Sequence, residues 1–139
     1  MRQKGFALPL DKIAPVFEKH EVLVAYLFGS RAKGREREES DYDIAVVFRG
    51  ERATIVNEIE LAKDLSDALN VPVEKVDVVA LNSADPEILS AVFEEGKEIF
   101  VSNEREKRNW ERRAYLALLR ERDLSAVYMK RIFDSAWDF

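Results

Sequence analysis

"YLFGSRAKGREREESDYDIAVVF", residues 26–48, places a Gly-Ser pair at the end of one apolar run and two aspartates, Asp41 and Asp43, at the mouth of the next. A carboxylate taken out of water without a partner loses much of its solvation. Acids at the start of a strand therefore need something positive nearby. Residues two apart on a strand share a face, so Asp41 and Asp43 present their carboxylates side by side while Tyr42 and Ile44 turn toward the core. Two such anions repel. A hard divalent cation removes the repulsion, and Mg²⁺ in particular takes one or two carboxylates and leaves its other positions to water and phosphate oxygens. The acids therefore predict a nucleoside triphosphate with its metal.

The Gly-Ser pair suits the same ligand. Gly29 permits a tight turn after the first strand, and the backbone N–H groups and the Ser30 hydroxyl that follow can hold phosphate oxygens. Arg31 and Lys33 add cations nearby. Arg35 and Arg37 alternate with Glu36 and Glu38, which favours a solvated loop over phosphate binding. A third acid, Asp77, lies inside the apolar run "KVDVVAL" (75–81), where a lone carboxylate has no structural reason to be. It could ligate a second metal or accept a proton, and two metals flanking a triphosphate would serve nucleotidyl transfer. His20 stands before the first strand with no accompanying motif, which favours a surface role.

Outward from this stretch, strands and helices alternate. A short helix is expected over 11–19, tolerating Pro15, followed by strands at 22–28 and 42–48. From Glu51 to Asn70, the apolar positions Ile55, Ile59, Ala62 and Leu69, with Leu61 and Leu65 beside them, mark an amphipathic helix that Asn70 and Pro72 end. A strand follows at 75–81. Asp85 as N-cap, Pro86 in the first turn and Gly96 past the end delimit another helix, "KEIFV" (97–101) reads as a short strand, and a long helix opens at Asn103 with Glu106 in capping-box position.

The chain of 139 residues has the size of one domain and is 47% hydrophobic and 35% charged, which suits a soluble globular fold. It has no cysteine, which excludes disulfides, thiolate zinc sites and cysteine nucleophiles. No apolar stretch approaches a membrane span, and the N-terminus lacks a signal-peptide apolar region, so a cytoplasmic protein is expected. The net charge of −5 argues against wrapping long nucleic acid. That charge is uneven, with 13 basic and 20 acidic residues in 1–101 against 9 and 7 in 102–139.

Gly29-Ser30, ten residues, Asp41-x-Asp43 and a later strand acid, Asp77, together resemble the polymerase-beta-type nucleotidyltransferase superfamily over residues 20–100. Four fixed positions would arise by chance on the order of 0.002 times in a chain of this length. Within that superfamily the size and the wording "LFGSRAKG...SDYDIAVV" most resemble the minimal nucleotidyltransferases, the MNT antitoxins encoded beside HEPN-domain toxins. The resemblance implies an α/β (α+β) fold, with a mixed sheet flanked by helices and a C-terminal helical tail. It also implies Mg-ATP as donor and AMP transfer to a tyrosine of a HEPN toxin, with Asp41, Asp43 and Asp77 as catalytic metal ligands for two Mg²⁺ ions. Gly29, Ser30, Arg31 and Lys33 would then bind the nucleotide. Tyr42 stands between the acids where an aliphatic residue is common, and an aromatic still packs inward.

The division expected is a core at 1–101 and a packed helical tail at 102–139, one domain in all. In the tail, Trp110, Ala114, Ala117, Leu118, Leu124, Tyr128 and Ile132 form a helical stripe, while Tyr115, Leu119, Phe133, Trp137 and Phe139 extend beyond one face. These side chains either complete the core, with "ERDLS" around Asp123 capping a helix that folds back, or anchor a partner. Two functional classes follow: an enzyme that adenylylates its partner, or an antitoxin that neutralises by occlusion. Transfer to a small molecule or an RNA end is disfavoured, because 38 residues after Val101 are too few for an acceptor-binding domain.

Overall fold

A computed structural model describes residues 8–29, 31–32 and 41–121. Helix α1 (Leu10–Lys19) leads into strands β1 (Val22–Phe28) and β2 (Tyr42–Phe48). Helix α2 (Ile55–Leu69), strand β3 (Val76–Ala80), helix α3 (Pro86–Glu95), strand β4 (Lys97–Val101) and helix α4 (Glu104–Glu121) follow. The sheet runs in the order β3-β2-β1-β4 and is mixed. β1 pairs antiparallel with both β2 and β4, whereas β3 lies parallel to β2. A parallel pair needs a crossover between its strands, and α2 supplies it. The result is the mixed sheet flanked by helices that the sequence implies.

Alternation along the strands builds two apolar layers. Ile44, Val46 and Phe48 of β2 pack with Ile13 and Phe17 of α1 and with Leu61 and Leu65 of α2. On the other face, Ala45 and Val47 pack with Val92 and Phe93 of α3 and with Tyr115 and Leu118 of α4. Both helix pairs therefore cover the sheet, and β2 is buried on both sides from Ile44 onward. Among the described residues no helix is long and apolar enough to cross a membrane.

The element ends follow their local chemistry, with some shifts. α2 starts at Ile55 rather than Glu51, because the Thr54 side chain caps it by accepting the Asn57 N–H at 3.1 Å. It ends where Asn70 turns left-handed at φ 59°. Ile55 and Ile59, which the periodicity assigns to the core face, are instead 73% and 56% exposed. Glu58 lies between them in sequence and accepts the backbone N–H of Ala80 at 2.8 Å, so this first turn sits beside the edge strand. Asp85 holds the N-cap position of α3 without a side-chain cap bond, and Pro86 opens the helix. Gly96 closes α3 at φ −69°, an ordinary angle. What needs glycine there is space, because a Cβ would run into the Val92 carbonyl oxygen.

Asn103 caps α4 by accepting the Glu106 N–H at 2.9 Å, while the Glu106 carboxylate leaves the capping box to pair with Arg49. Tyr115, expected beyond the core-facing stripe, is buried against Phe93 with ring centroids 4.2 Å apart. The expected features at Asp123, Leu124, Tyr128, Ile132, Phe133, Trp137 and Phe139 lie outside the described residues.

Candidate active site

Parallel pairing brings two of the three singled-out acids together. In the β2/β3 register Asp43 stands opposite Asp77, and in the β1/β2 register it stands opposite Phe28. The core partners of β2 fix the face. Ile44 and Val46 face α1 and α2, so Asp43 faces the α3/α4 side, and the same alternation puts Asp77 there, flanked by inward Val76 and Val78. Asp43 is half-buried. Asp77, on the edge strand, is exposed, and Asp41 is exposed just before β2.

Burial pushes the Asp43 carboxyl above the usual carboxylate range, and the charges of Asp77 and then Asp41 push it further. The three acids thus share one electrostatic field. Among the described residues no group of three His, Cys, Asp or Glu is drawn together closely enough to hold a metal ion. Two register-paired carboxylates with a third at the strand mouth instead make an open donor set. That is the kind a hard cation takes when it keeps positions for phosphate and water.

Gly29 is fitted to this carboxylate. It turns the chain after β1 at φ 78°, in the left-handed region, and a Cβ there would collide with Oδ2 of Asp43. Both the turn and the close approach require glycine. The expectation for Gly29 concerned only the turn, and the contact with Asp43 adds a second reason that sequence spacing does not reveal.

Arg31 lies with its guanidinium 3.9 Å from the centroid of the Tyr42 ring, a cation–π contact. Tyr42, half-buried against the α1/α2 layer, therefore carries an arginine as well as packing inward. Ser30, Lys33, Arg35 and Arg37 lie outside the described residues. His20 sits away from the acids and bonds Asp64 at 2.7 Å through Nε2, and Lys19 pairs with the same carboxylate at 3.2 Å. This joins α1 to α2. The hydrogen bond to His20 draws the Asp64 carboxyl down, with burial opposing and Lys19 assisting.

Sequence reading missed one buried polar pair on the site's face. The Tyr26 hydroxyl donates to Oε2 of Glu111 at 2.6 Å, joining β1 to α4. Both residues are buried, and burial followed by the Glu111 charge pushes the tyrosine far above its ordinary value. A glutamate on the inner face of a long helix was the available signal, but its partner lies far away in sequence.

Residues 11–105 match the family model described as Polymerase beta, Nucleotidyltransferase. A Methanocaldococcus jannaschii protein to which protein adenylyltransferase activity is ascribed is 34% identical over 88 residues, which make up 63% of this chain and 90% of that protein. A chain from a toxin–antitoxin crystal structure with AMP-PNP is 27% identical with a TM-score of 0.67, covering 93% of this chain and 98% of that one. A chain from the complex of a tri-AMPylated Shewanella oneidensis HEPN toxin with its MNT antitoxin is 25% identical with a TM-score of 0.59, covering 91% and 94%.

Proposed function

The chain belongs to the polymerase beta nucleotidyltransferase family, and we propose that it transfers AMP from ATP to a tyrosine hydroxyl of a partner HEPN toxin and so neutralises it. The observation that carries this is the register pairing of Asp43 with Asp77 on one face, with the Gly29 turn held against Asp43. The likeness to chains from toxin–antitoxin structures, one with AMP-PNP and one with an AMPylated toxin, supports the donor and the acceptor class. Residues 1–101 form the transferase core, 102–139 an appended segment that meets the partner, and the reaction belongs in the cytoplasm.

The residues fit Mg²⁺, because burial and then the charges of Asp77 and Asp41 raise the Asp43 carboxyl, and a bound cation would offset both. Asp41, Asp43 and Asp77 would hold two ions, which when bound stabilise charge on the triphosphate and the departing pyrophosphate. The Gly29 turn and Ser30 would hold phosphate oxygens, with Arg31 and Lys33 supplying further cations. The acceptor oxygen forms a bond to the α-phosphorus while the bond from that phosphorus to the β-phosphate oxygen breaks. Pyrophosphate leaves, and the hydroxyl proton passes by way of Asp77 to bulk water, to which Asp77 is open.

Intact-mass spectrometry of the HEPN toxin after incubation with this protein and Mg-ATP tests the reading. Whole adenylate increments are expected. They should vanish with Asp43→Asn and with the acceptor tyrosine changed to Phe. Full neutralisation in cells by the Asp43→Asn protein, with no adenylate on the toxin, would replace transfer with occlusion.

A further inference from the structure

α4 has an outer face that neither the core nor the transfer site uses. The helical period puts Arg105, Arg112, Arg113 and Arg120 on one side, together with Leu116 and Leu119, which are 48% and 39% exposed. None of these four arginines forms an ion pair within the described residues. The described acids of α4 are engaged elsewhere: Glu104 with Lys107, Glu106 with Arg49, and Glu111 with Tyr26. A chain of net charge −5 thus carries an all-cationic helix face with two leucines on it. Like charges spaced along a helix destabilise it, and nothing among the described residues accounts for the pattern.

The direction of α4 relates that face to the acids. Ser102, just before the helix, bonds Leu23 early in β1, and Glu111 bonds Tyr26 further along. Continuing the same way along β1 leads to Phe28, opposite Asp43. The C-terminal half of α4 therefore runs toward the end of the sheet that bears the acids. At the helix's other end, a cleft of about 430 Å³ opens between α4 and the turn after β2, with Trp110 in its lining and Arg49 and Arg113 beside it. Trp110 is half-buried against Phe93, and tryptophan and arginine around a pocket are the usual anchors of protein contacts.

We infer that the arginine–leucine face of α4 docks an acidic helix of the protein acceptor, laid along α4 so that one end of the acceptor reaches Asp43 and Asp77. Arginine's planar fork pairs two-pronged with carboxylates, and the leucines match an apolar stripe, which a phosphate backbone lacks. Arg105 to Arg120 spans about 22 Å, the length of about four turns of a partner helix at 5.4 Å per turn. The inference rests on the proposed function for the identity of the acceptor.

The test reverses Arg105, Arg112 and Arg113 to Glu in the full chain and measures affinity for the HEPN toxin by calorimetry, alongside AMP-transfer kinetics. Affinity should fall on the order of 100-fold. KM for the toxin should rise in parallel, while kcat, KM for ATP and Tm stay unchanged, and reversing acidic residues on one toxin helix to Arg should restore binding. Undiminished affinity would overturn the inference. So would a fall in Tm, meaning that this chain's own residues cover the face, or a loss of self-association, meaning that a second copy does. Loss of salt-dependent RNA binding with toxin affinity intact would likewise overturn it by assigning the face to phosphate. A wild-type protein that binds the toxin through this face but adds no adenylate would sink the transfer reading and leave the docking surface standing.

Discussion

Tyr26→Phe isolates the one hydrogen bond that, among the described residues, joins the sheet to α4 through the buried layer on the site's face. The tyrosine is 1% exposed and its partner Glu111 7%, so water cannot replace the lost donor. A hydrogen bond to a charged acceptor contributes about 1.5–3 kcal/mol, and an acceptor left buried adds its own desolvation, so a loss of about 3 kcal/mol is expected. Unfolding entropy of about 2.1 cal/mol/K per residue scales to about 0.3 kcal/mol/K for a chain of this length, so Tm should drop about 10 °C. Thermal and urea melts of Tyr26→Phe, Glu111→Leu and the double variant complete the cycle. Removing both partners should cost less than the two single losses added together, leaving a coupling of about 2 kcal/mol.

The same pair makes an alkaline prediction. Burial and the Glu111 charge hold the Tyr26 hydroxyl protonated well above its ordinary value of 10.0. Above that pH an unfolded tyrosine ionises while the folded one keeps its proton, so the unfolded state gains. Wild-type stability therefore falls as pH rises past 10, and the Tyr26→Phe protein lacks that part of the fall. A cost below about 0.5 kcal/mol for Tyr26→Phe, with no coupling in the cycle, would refute the reasoning, since a buried pair cannot be silent on both counts.

Three further perturbations follow from the site and the helix pair beneath it. Asp43→Asn should raise Tm in metal-free buffer, because the folded state resists ionising that carboxyl, and calorimetry should show that added Mg²⁺ no longer stabilises the variant as it does the wild type. Gly29→Ala forces a Cβ into a left-handed backbone and against Asp43, so it should cost about 1 kcal/mol or more in urea melts and abolish Mg²⁺ stabilisation along with transfer. Asp64→Asn should lower Tm at pH 7. The Asp64 carboxyl is depressed in the fold, so the difference from wild type is fully present above the unfolded value of about 3.9 and closes as pH falls through the folded one.

What the sequence made legible is what local chemistry decides. The apolar runs at 22–28 and 42–48, the Asn70 and Gly96 stops and the Asn103 cap all stand within a residue or so of their places. Gly29, Asp41 and Asp43 were legible because a turn and a strand edge fix them relative to one another. Asp77 required one more step, since only the parallel register shows that it faces Asp43. The burial of Ile55 and Ile59 was misread because periodicity marks a face of α2 but not how much of it is covered, and burial on this helix begins at Leu61. Tyr26 and Glu111 were illegible for a plainer reason: their pairing depends on how β4 returns α4 across β1, and no local signal carries that.

That return gives α4 two duties on opposite sides. Its inner side, through Glu111, Ala114, Tyr115 and Leu118, is fixed to the sheet, and the Glu111 bond lands on Tyr26, three residues before the Gly29 turn that touches Asp43. Its outer side carries the arginines that form no ion pair within the described residues. A load placed on the outer face is therefore borne by a strand whose next turn abuts the acids, through a packed layer that deforms little. The edge position of β3 leaves Asp77 open to solvent, as the proposed docking requires. In the proposed docking, the helix that closes the hydrophobic layer is also the one that positions the acceptor.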